Sequence, residues 1–444
     1  MNNERSTPLQ GVSLWQAVWG LLALTLAYLL AYCDRTIVTI LVGPFKQDLG
    51  FSDSQVGLLI GFSFAIFYSV AGLPLGRITD RFNRRNLIIA GILTWSAATA
   101  ACGLVNRLPG LFVARVCVGA GEACLVPAAL SMIADYFGPR GRSKAVALFV
   151  CGAPLGQGMA YLLGGALLTR FAQLGVPQPL AGLTRFPWQC IFLLLGMLGL
   201  LAVVLLSLIR EPPRLHPDAA HDPGQRNDSL KALMAHHRPL LLGLILGPAI
   251  MSIAFYALLA WGPTMMSRRF GWTAADIALW FPPLGILSGL LGPWLAAWLG
   301  TRLTRSGRPD GLLRAVVHLG LMAGPAAIIA LTTPIAAIAV ALMFVTTGLM
   351  IAVITVPQVA IQYIMPGQVR GQVTALFVFC ANIIGFGLGP NIVAAVTDYG
   401  FRQDARLNLS LAIVCTVALL LGGTLTLLRL PHYRRYVTAR GCEI

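Results

Sequence analysis

The sequence has few charged residues, and acidic residues are the scarcer kind. Only 11% of the 444 residues are charged and 57% are hydrophobic, with 16 Asp and Glu against 32 Lys and Arg. A soluble domain usually carries about 25% charged residues. A water-soluble fold of this composition could not cover its own surface with polar groups. A soluble protein is therefore excluded, and the surplus apolar surface requires lipid as its solvent.

Cysteine and histidine are too few and too scattered to indicate a disulfide framework, a metal site or an enzyme. Eight of the nine cysteines lie inside apolar runs, and only Cys442 lies in a tail, so we interpret them as small hydrophobic side chains. His318 is the only histidine well inside an apolar run, and no Ser–His or Asp–His cluster appears. We therefore expect no metal, no cofactor and no enzymatic activity.

Long apolar runs are what the chain has in abundance. A bilayer span needs about 20 apolar residues. Twelve windows qualify, at 14–41, 55–76, 86–106, 109–136, 143–169, 187–209, 240–268, 273–300, 312–331, 334–364, 372–397 and 407–430. The first is too long for a cleaved signal peptide, so we expect it to be retained. The predicted fold class is an all-α membrane protein with twelve transmembrane helices.

The longest stretch without a span is Arg210–Pro239, which contains four prolines and charges of both signs. It is predicted to be a cytoplasmic linker between two six-helix halves. The predicted organisation is an N-terminal tail at 1–13, a six-helix bundle at 14–209, the linker at 210–239, a second six-helix bundle at 240–430 and a C-terminal tail at 431–444.

The basic residues indicate orientation rather than a nucleic-acid partner. The net charge is +16, but the Lys and Arg residues lie in short gaps between apolar runs, not on one polar domain. Most of the Lys and Arg residues lie in segments on the same side of the membrane as the N-terminus. Because cytoplasmic loops carry the excess of positive charge, both termini are predicted to be cytoplasmic. Lysine is rare beside arginine, which fits a GC-rich bacterial genome. We therefore expect a multi-pass protein of a bacterial inner membrane.

Two short segments occur once in each half. Arg142–Phe149 resembles Arg370–Phe377, and each copy opens the fifth helix of its half. Gly76-x3-Asp80-Arg81 has a degenerate partner in Gly300-x3-Thr304-Arg305. Two copies of one six-helix unit are typical of transporters built from parallel halves. Because Thr304 replaces the acid, we expect the chemistry to lie mainly in the first half.

The segment Gly76-Arg-Ile-Thr-Asp80-Arg81-Phe-Asn-Arg84-Arg85 resembles the loop 2–3 signature of the major facilitator superfamily. The resemblance implies an alternating-access fold and a gating role for Gly76, Asp80, Arg81 and Arg85. In that role the Asp80 carboxylate would cap a neighbouring helix N-terminus, where the helix dipole favours a negative charge. The alternative is an ordinary basic loop on the cytoplasmic side.

The first half also resembles the spinster-like branch of that superfamily. The matching residues are Asp34-Arg35, Arg115-x3-Gly-Ala-Gly-Glu122, Asp135-Tyr-Phe and Ala153-Pro-x-Gly156-x-Gly158. That branch includes lysolipid and sphingosine-phosphate transporters. The resemblance implies an anionic amphiphile as the substrate class.

Charge within a membrane span is costly and usually functional, and four charged residues stand out in the predicted spans: Asp34, Arg35, Arg115 and Glu122. Glu122 lies about 10 Å deeper than Arg115, on the same helix face. We expect Arg115 to hold an anionic head group, because its planar guanidinium offers two parallel donors. Glu122 or Asp34 would carry a coupling proton, and both would contact substrate. The alternatives are a structural ion pair of Arg115 with either acid and an Arg35 that snorkels outward.

Polar residues in the second half could line a second wall of the site. Gln358 and Gln362 share a face of the tenth window, and Asn382 lies in the eleventh. Hydrogen bonds between helices are the alternative role.

The sequence thus predicts a monomeric secondary active transporter that moves an anionic amphiphile, such as a lysophospholipid-like lipid, by proton-linked alternating access. Its expected partners are the substrate, protons and the bilayer, with no nucleic acid. The alternatives are a transporter of small organic anions, a drug efflux pump, or a transport-like receptor that senses without turnover.

Overall fold

The computed structural model describes residues 13–174, 184–214, 235–305 and 308–439, and these residues form helices and no strands. Within the described residues, eleven helices are long and apolar enough to cross a membrane. A twelfth, Arg84–Cys102, has 19 residues and matches the third predicted window. Its first turn contains Arg84, Arg85 and Asn86, which lower its apolarity. The prediction of an all-α membrane protein is confirmed.

These helices are numbered as spans 1 to 12. They are Leu14–Ile37, Asp53–Gly72, Arg84–Cys102, Leu108–Tyr136, Gly141–Phe171, Pro187–Ser207, Arg238–Phe270, Ala274–Leu303, Gly311–Thr332, Ala336–Ile364, Val369–Phe401 and Asp404–Ala439. The helix of span 2 continues as Ser63–Arg81, and a short helix, Val42–Leu49, follows span 1.

The described residues form two compact units. The first holds the residues up to 214 together with 273–282, and the second holds 235–272 and 283–439. The predicted domain boundaries stay predictions, because most of the predicted linker and tails lies outside the described residues.

Close helix packing in the first unit depends on glycine. A Cβ at Gly119 of span 4 would lie 2.7 Å from the Phe64 carbonyl oxygen of span 2. A Cβ at Gly156 of span 5 would collide with the Leu29 carbonyl oxygen of span 1. Small residues let helix backbones approach closely in membranes. Gly119 therefore brings spans 2 and 4 together at the depth where the charged residues lie.

Two spans depart from regular α-helix at sequence-predicted site residues. Span 4 consists of the helices Leu108–Glu122 and Leu125–Tyr136, so its first helix ends at Glu122. Span 11 contains the π-helical segment Ala381–Leu388, which includes Asn382. π-Helical turns interrupt the regular hydrogen-bond ladder and often occur at functional sites.

Polar contacts join spans 7 and 11 in the second unit. The Trp261 indole nitrogen donates to the Pro390 carbonyl oxygen at 2.9 Å. The Ser252 hydroxyl lies 3.4 Å from the Ala381 carbonyl oxygen, at the start of the π-helical segment. These bonds anchor the irregular part of span 11 to a neighbouring helix.

Candidate substrate-binding and gating sites

Arg35 of span 1 forms a short ion pair with Glu122 of span 4. The Arg35 Nε donates to the Glu122 Oε2 at 2.6 Å, and the Glu122 side chain is fully buried. Arg35 is only 13% exposed. The alternative of an Arg35 that snorkels outward is therefore excluded, because the carboxylate of Glu122 draws the guanidinium into the protein.

Aromatic rings surround the Arg35 guanidinium on the sides that Glu122 leaves open. Its central carbon lies 4.8 Å from the ring centre of Tyr32, 4.6 Å from that of Phe64 and 4.4 Å from that of Tyr68. Such cation–π contacts stabilise a cation more strongly where water is excluded. The three rings therefore stabilise the buried positive charge of Arg35 in addition to the Glu122 carboxylate.

Asp34 is paired separately, with Thr99 of span 3 and Arg115 of span 4. The Thr99 hydroxyl donates to the Asp34 Oδ2 at 2.6 Å. An Arg115 terminal nitrogen lies 3.8 Å from the Asp34 Oδ1, which is too long for a hydrogen bond. The attraction between Asp34 and Arg115 is therefore a loose ion pair.

The two pairs belong to one cluster. Phe64 lies beneath both cations, with its ring centre 4.6 Å from the Arg35 guanidinium and 5.5 Å from that of Arg115. The structure thus brings together all four intramembrane charges that the sequence singled out. It assigns Glu122 to Arg35, however, whereas the sequence placed Glu122 on the face of Arg115. Helical spacing within span 4 could not show which residue of span 1 would reach the carboxylate.

Arg115 is the member of this cluster with unused hydrogen-bonding capacity. Its side chain is 2% exposed, and none of its three nitrogens has a hydrogen-bond partner among the described residues. A buried guanidinium without acceptors is costly, and it binds carboxylates and phosphates through paired donors. The free donors of Arg115 can therefore bind an anion such as a carboxylate or a phosphate.

Gln358 lies in span 10 and Asn382 in span 11, and among the described residues no hydrogen bond connects their side chains. The Gln358 side chain donates to the Ile354 carbonyl oxygen of its own helix at 3.3 Å. Asn382 is half-buried in the π-helical segment. Gln362 is exposed, and its amide donates to the Thr374 hydroxyl at 3.4 Å. The role of Gln358 and Asn382 in substrate binding stays a prediction.

A second charged cluster lies where span 3 begins, and its centre is Arg84. The Arg84 Nε donates to Glu211 at 2.9 Å, and its backbone N–H donates to the same oxygen at 3.1 Å. Its terminal nitrogens donate to Asp135, to Ser131 and to the Pro212 carbonyl oxygen. Arg84 thereby ties the start of span 3 to the ends of spans 4 and 6.

The predicted gating residues lie around this cluster. Arg85 donates to the Ile209 carbonyl oxygen at 2.9 Å, while Arg81 is exposed. The side chain of Asp80 and the surroundings of Gly76 are not among the described parts of the structure, so the gating role of both residues stays a prediction. Arg84 lies within the loop 2–3 signature, but no role was predicted for it. The signal in the sequence is Glu211, an acid directly after span 6, which can pair with an arginine at the start of a helix.

Replacing Arg84 by glutamine should lower the free energy of unfolding by about 2–4 kcal/mol, because Asp135 and Glu211 lose their shared cation. The value is below that for fully buried pairs, since the two carboxylates are 14% and 15% exposed. Equilibrium unfolding in mixed detergent micelles would measure it. The control is Arg81→Gln, which removes an exposed arginine nearby and should change stability by at most about 0.5 kcal/mol. Equal stabilities of the two variants would contradict a central role for Arg84.

The twelve helices, with two buried arginine–carboxylate pairs inside the first unit, define a class of polytopic membrane transport proteins. Residues 24–390 match the family model described as Major Facilitator Superfamily. The chain belongs to the Major Facilitator Superfamily and is spinster-like within it. Proteins of this family are transporters.

Two curated relatives illustrate the similarity. An MFS-type efflux pump of Mycolicibacterium smegmatis is 29% identical over 95% of this chain and 94% of its own length. Protein spinster homolog 1 of Homo sapiens is 27% identical over 83% of this chain and 71% of its own.

Solved structures of a bacterial homolog to the human lysosomal transporter Spinster have the same fold. The inward-facing, unoccupied form has a TM-score of 0.77 at 24% identity and covers 96% of this chain and 98% of its own. The inward-facing, occupied form has a TM-score of 0.73 at 25% identity, with coverage of 94% and 96%.

Proposed function

We propose that this protein is a secondary active transporter of an anionic amphiphile, with a lysophospholipid-like lipid as its substrate class. The observation that carries the proposal is Arg115, a buried guanidinium with three nitrogens that lack acceptors among the described residues. A phosphate or carboxylate head group would accept two parallel hydrogen bonds from it. The apolar surroundings of Phe64 and the neighbouring helices suit the tail of such a molecule.

Charge balance in the cluster supports a link to protons. Arg35 and Arg115 are matched by Asp34 and Glu122, so the four groups together are neutral when all are ionised. A bound anion would leave one negative charge in excess in a site with little water, which is unfavourable. One proton on Asp34 or Glu122 would restore neutrality. Each negative charge of the substrate would then travel with one proton.

The two acids differ in how they would take up that proton. Asp34 keeps the Thr99 hydroxyl at 2.6 Å when an anion draws Arg115 away, so it retains one partner. Glu122 is held by Arg35 alone, and its second oxygen has no partner among the described residues. We assign the coupling proton first to Glu122 and then to Asp34. Gln358 and Asn382 of the second unit are each proposed to contact substrate, and Gly76, Asp80, Arg81 and Arg85 to act in gating.

The alternative is a transporter of a small organic anion, or a drug efflux pump. The 29% identity to the mycobacterial efflux pump supports it. An anion without a tail would use the same Arg115 chemistry. In either case the proposed setting is a bacterial inner membrane, with a monomer whose termini face the cytoplasm.

The test of the substrate class is transport into sealed proteoliposomes. We expect saturable, pH-gradient-dependent movement of a lysophospholipid with a negatively charged head group, and competition by other anionic lysolipids. A small organic anion of the same charge, without an acyl chain, serves as the comparison. Faster transport of the tail-less anion, with no competition by lysolipid, would replace the lipid proposal with the alternative. Vesicles without protein set the background.

A further inference from the structure

Three arginines of the second unit line a pocket at the start of span 9. The pocket has a volume of about 440 Å³ and is lined by Arg308, Pro309, Asp310, Arg314 and Arg434. The Asp310 carboxylate accepts from the Arg314 Nε and from a terminal nitrogen of Arg434, each at 3.0 Å. Its side chain is fully buried, whereas that of Arg434 is 52% exposed. Asp310 thus holds the side chains of Arg314 and Arg434 in place, while both arginines remain partly exposed to solvent.

The pocket carries a net positive charge. Burial by itself would raise the pKa of Asp310, but the hydrogen bonds from Arg434 and Arg314 outweigh it, and the pKa is lowered. Asp310 is therefore ionised at neutral pH and compensates one of the three arginines. A net charge of about two positive units remains, which suits a phosphate-bearing head group.

An apolar groove lies on the same two helices, spans 9 and 12. Its volume is about 310 Å³, and its walls include Leu321, Gly324, Ile328, Leu420, Gly423 and Leu427. Leu321 is 60% exposed and Leu427 is 51% exposed, so the groove opens on the outside of the unit. In a membrane protein such a groove faces acyl chains.

The pocket and the groove lie along the same faces of spans 9 and 12. In span 9, Leu321 follows Arg314 by seven residues, and in span 12, Leu427 precedes Arg434 by seven, so each pair shares a face. With a rise of 1.5 Å per residue, Leu427 lies about 10 Å from Arg434 along the axis, and Gly423 about 16 Å. Half the hydrocarbon core is about 15 Å thick. The spacing matches one membrane leaflet.

We infer that the face of spans 9 and 12 binds an anionic phospholipid of the bilayer, with its head group among Arg308, Arg314 and Arg434 and an acyl chain in the groove. The predicted orientation places this lipid in the cytoplasmic leaflet. A second copy of the chain fits this face poorly. A twofold pair with its axis along the membrane normal would bring the same arginines together, and like charges would repel.

Native mass spectrometry of the full chain in detergent would test the inference. The probes are phosphatidylglycerol and phosphatidylcholine with identical acyl chains. We expect phosphatidylglycerol to bind more tightly, and the double variant Arg308→Gln/Arg434→Gln to weaken that binding about twenty-five-fold. This figure is about five-fold per arginine, which corresponds to about 1 kcal/mol per basic residue near anionic lipid.

Two variants separate the parts of the lipid site. Arg435→Gln removes one positive charge one residue beyond Arg434 in span 12 and should leave binding unchanged, because Arg435 lines a different cavity. Gly423→Leu should weaken phosphatidylglycerol binding by filling the groove. A Cβ at Gly423 meets no atom within 4 Å, so this variant should fold normally.

Five outcomes would overturn the inference. Equal affinity for both lipids, or equal loss in Arg435→Gln, would leave only a general attraction to charge. Competition by inorganic phosphate, with no effect of Gly423→Leu, would indicate a site for soluble anions. A dimer lost in Gly423→Leu would make the groove an interface between copies. Loss of the lipid in Arg115→Gln would place it in the proposed transport site instead.

Discussion

Replacing Arg115 by glutamine should lower transport of the anionic substrate by roughly a hundred- to ten-thousand-fold. The variant loses at least two hydrogen bonds to a charged group, each worth about 1.5–3 kcal/mol. Arg115 is 2% exposed and its nitrogens have no acceptors among the described residues, so the substrate competes with the loose Asp34 ion pair but with no hydrogen bond. Initial rates in proteoliposomes, together with a direct binding measurement, would show the loss in both quantities.

The conservative variant separates geometry from charge at this position. Arg115→Lys keeps the positive charge beside Asp34 but loses the planar pair of donors, so we expect a loss of roughly ten- to a hundred-fold. Arg107→Gln is the matched control, because Arg107 is exposed just before span 4 begins. It should transport as wild type does. Full activity of Arg115→Lys would reduce Arg115 to a point charge or a structural partner of Asp34.

Replacing Glu122 by glutamine should abolish the response of transport to an imposed pH gradient while substrate binding persists. The glutamine oxygen can still accept from the Arg35 Nε, which lies 2.6 Å from the carboxylate in wild type. The variant therefore resembles the protonated acid in shape and charge. If one proton moves with each substrate, one pH unit supports roughly ten-fold accumulation in wild type, since it supplies about 1.4 kcal/mol. The Glu122→Gln variant should show no accumulation driven by the pH gradient.

Uptake with and without the gradient, for wild type and both acidic positions, would assign the proton. Asp34→Asn is the companion variant, because Asp34 is the other buried acid of the cluster. If Glu122→Gln still follows the gradient as wild type does, Glu122 is not the proton carrier and Asp34 becomes the candidate. A wild-type flux that ignores the gradient would mean facilitated diffusion. The Arg115 variants test anion binding independently of both outcomes.

The cluster shows which part of a buried site can be predicted from one sequence. Asp34, Arg35, Arg115 and Glu122 could be found because a charge inside an apolar run is conspicuous and costly. Their pairing could not. The contact of Arg35 with Glu122 depends on the packing of spans 1 and 4, and the close approach of Gly119 to the Phe64 backbone depends on that of spans 2 and 4. Thr99 was missed because a threonine within a span gives no distinct signal.

The sequence by itself determined the helical membrane class, the number of spans and the repeated signature of the two halves. These follow from local properties, since about 20 consecutive apolar residues must form a helix in lipid to satisfy their own backbone. Only the tertiary structure decided that Glu122 pairs with Arg35, that Arg84 joins spans 3, 4 and 6, and that Arg314 and Arg434 share Asp310. Apart from the Asp310–Arg314 bond, which spans four residues, each of these contacts joins residues far apart in the chain. Their meeting depends on which helix faces pack together, and helical periodicity limits the choice of face without fixing the partner.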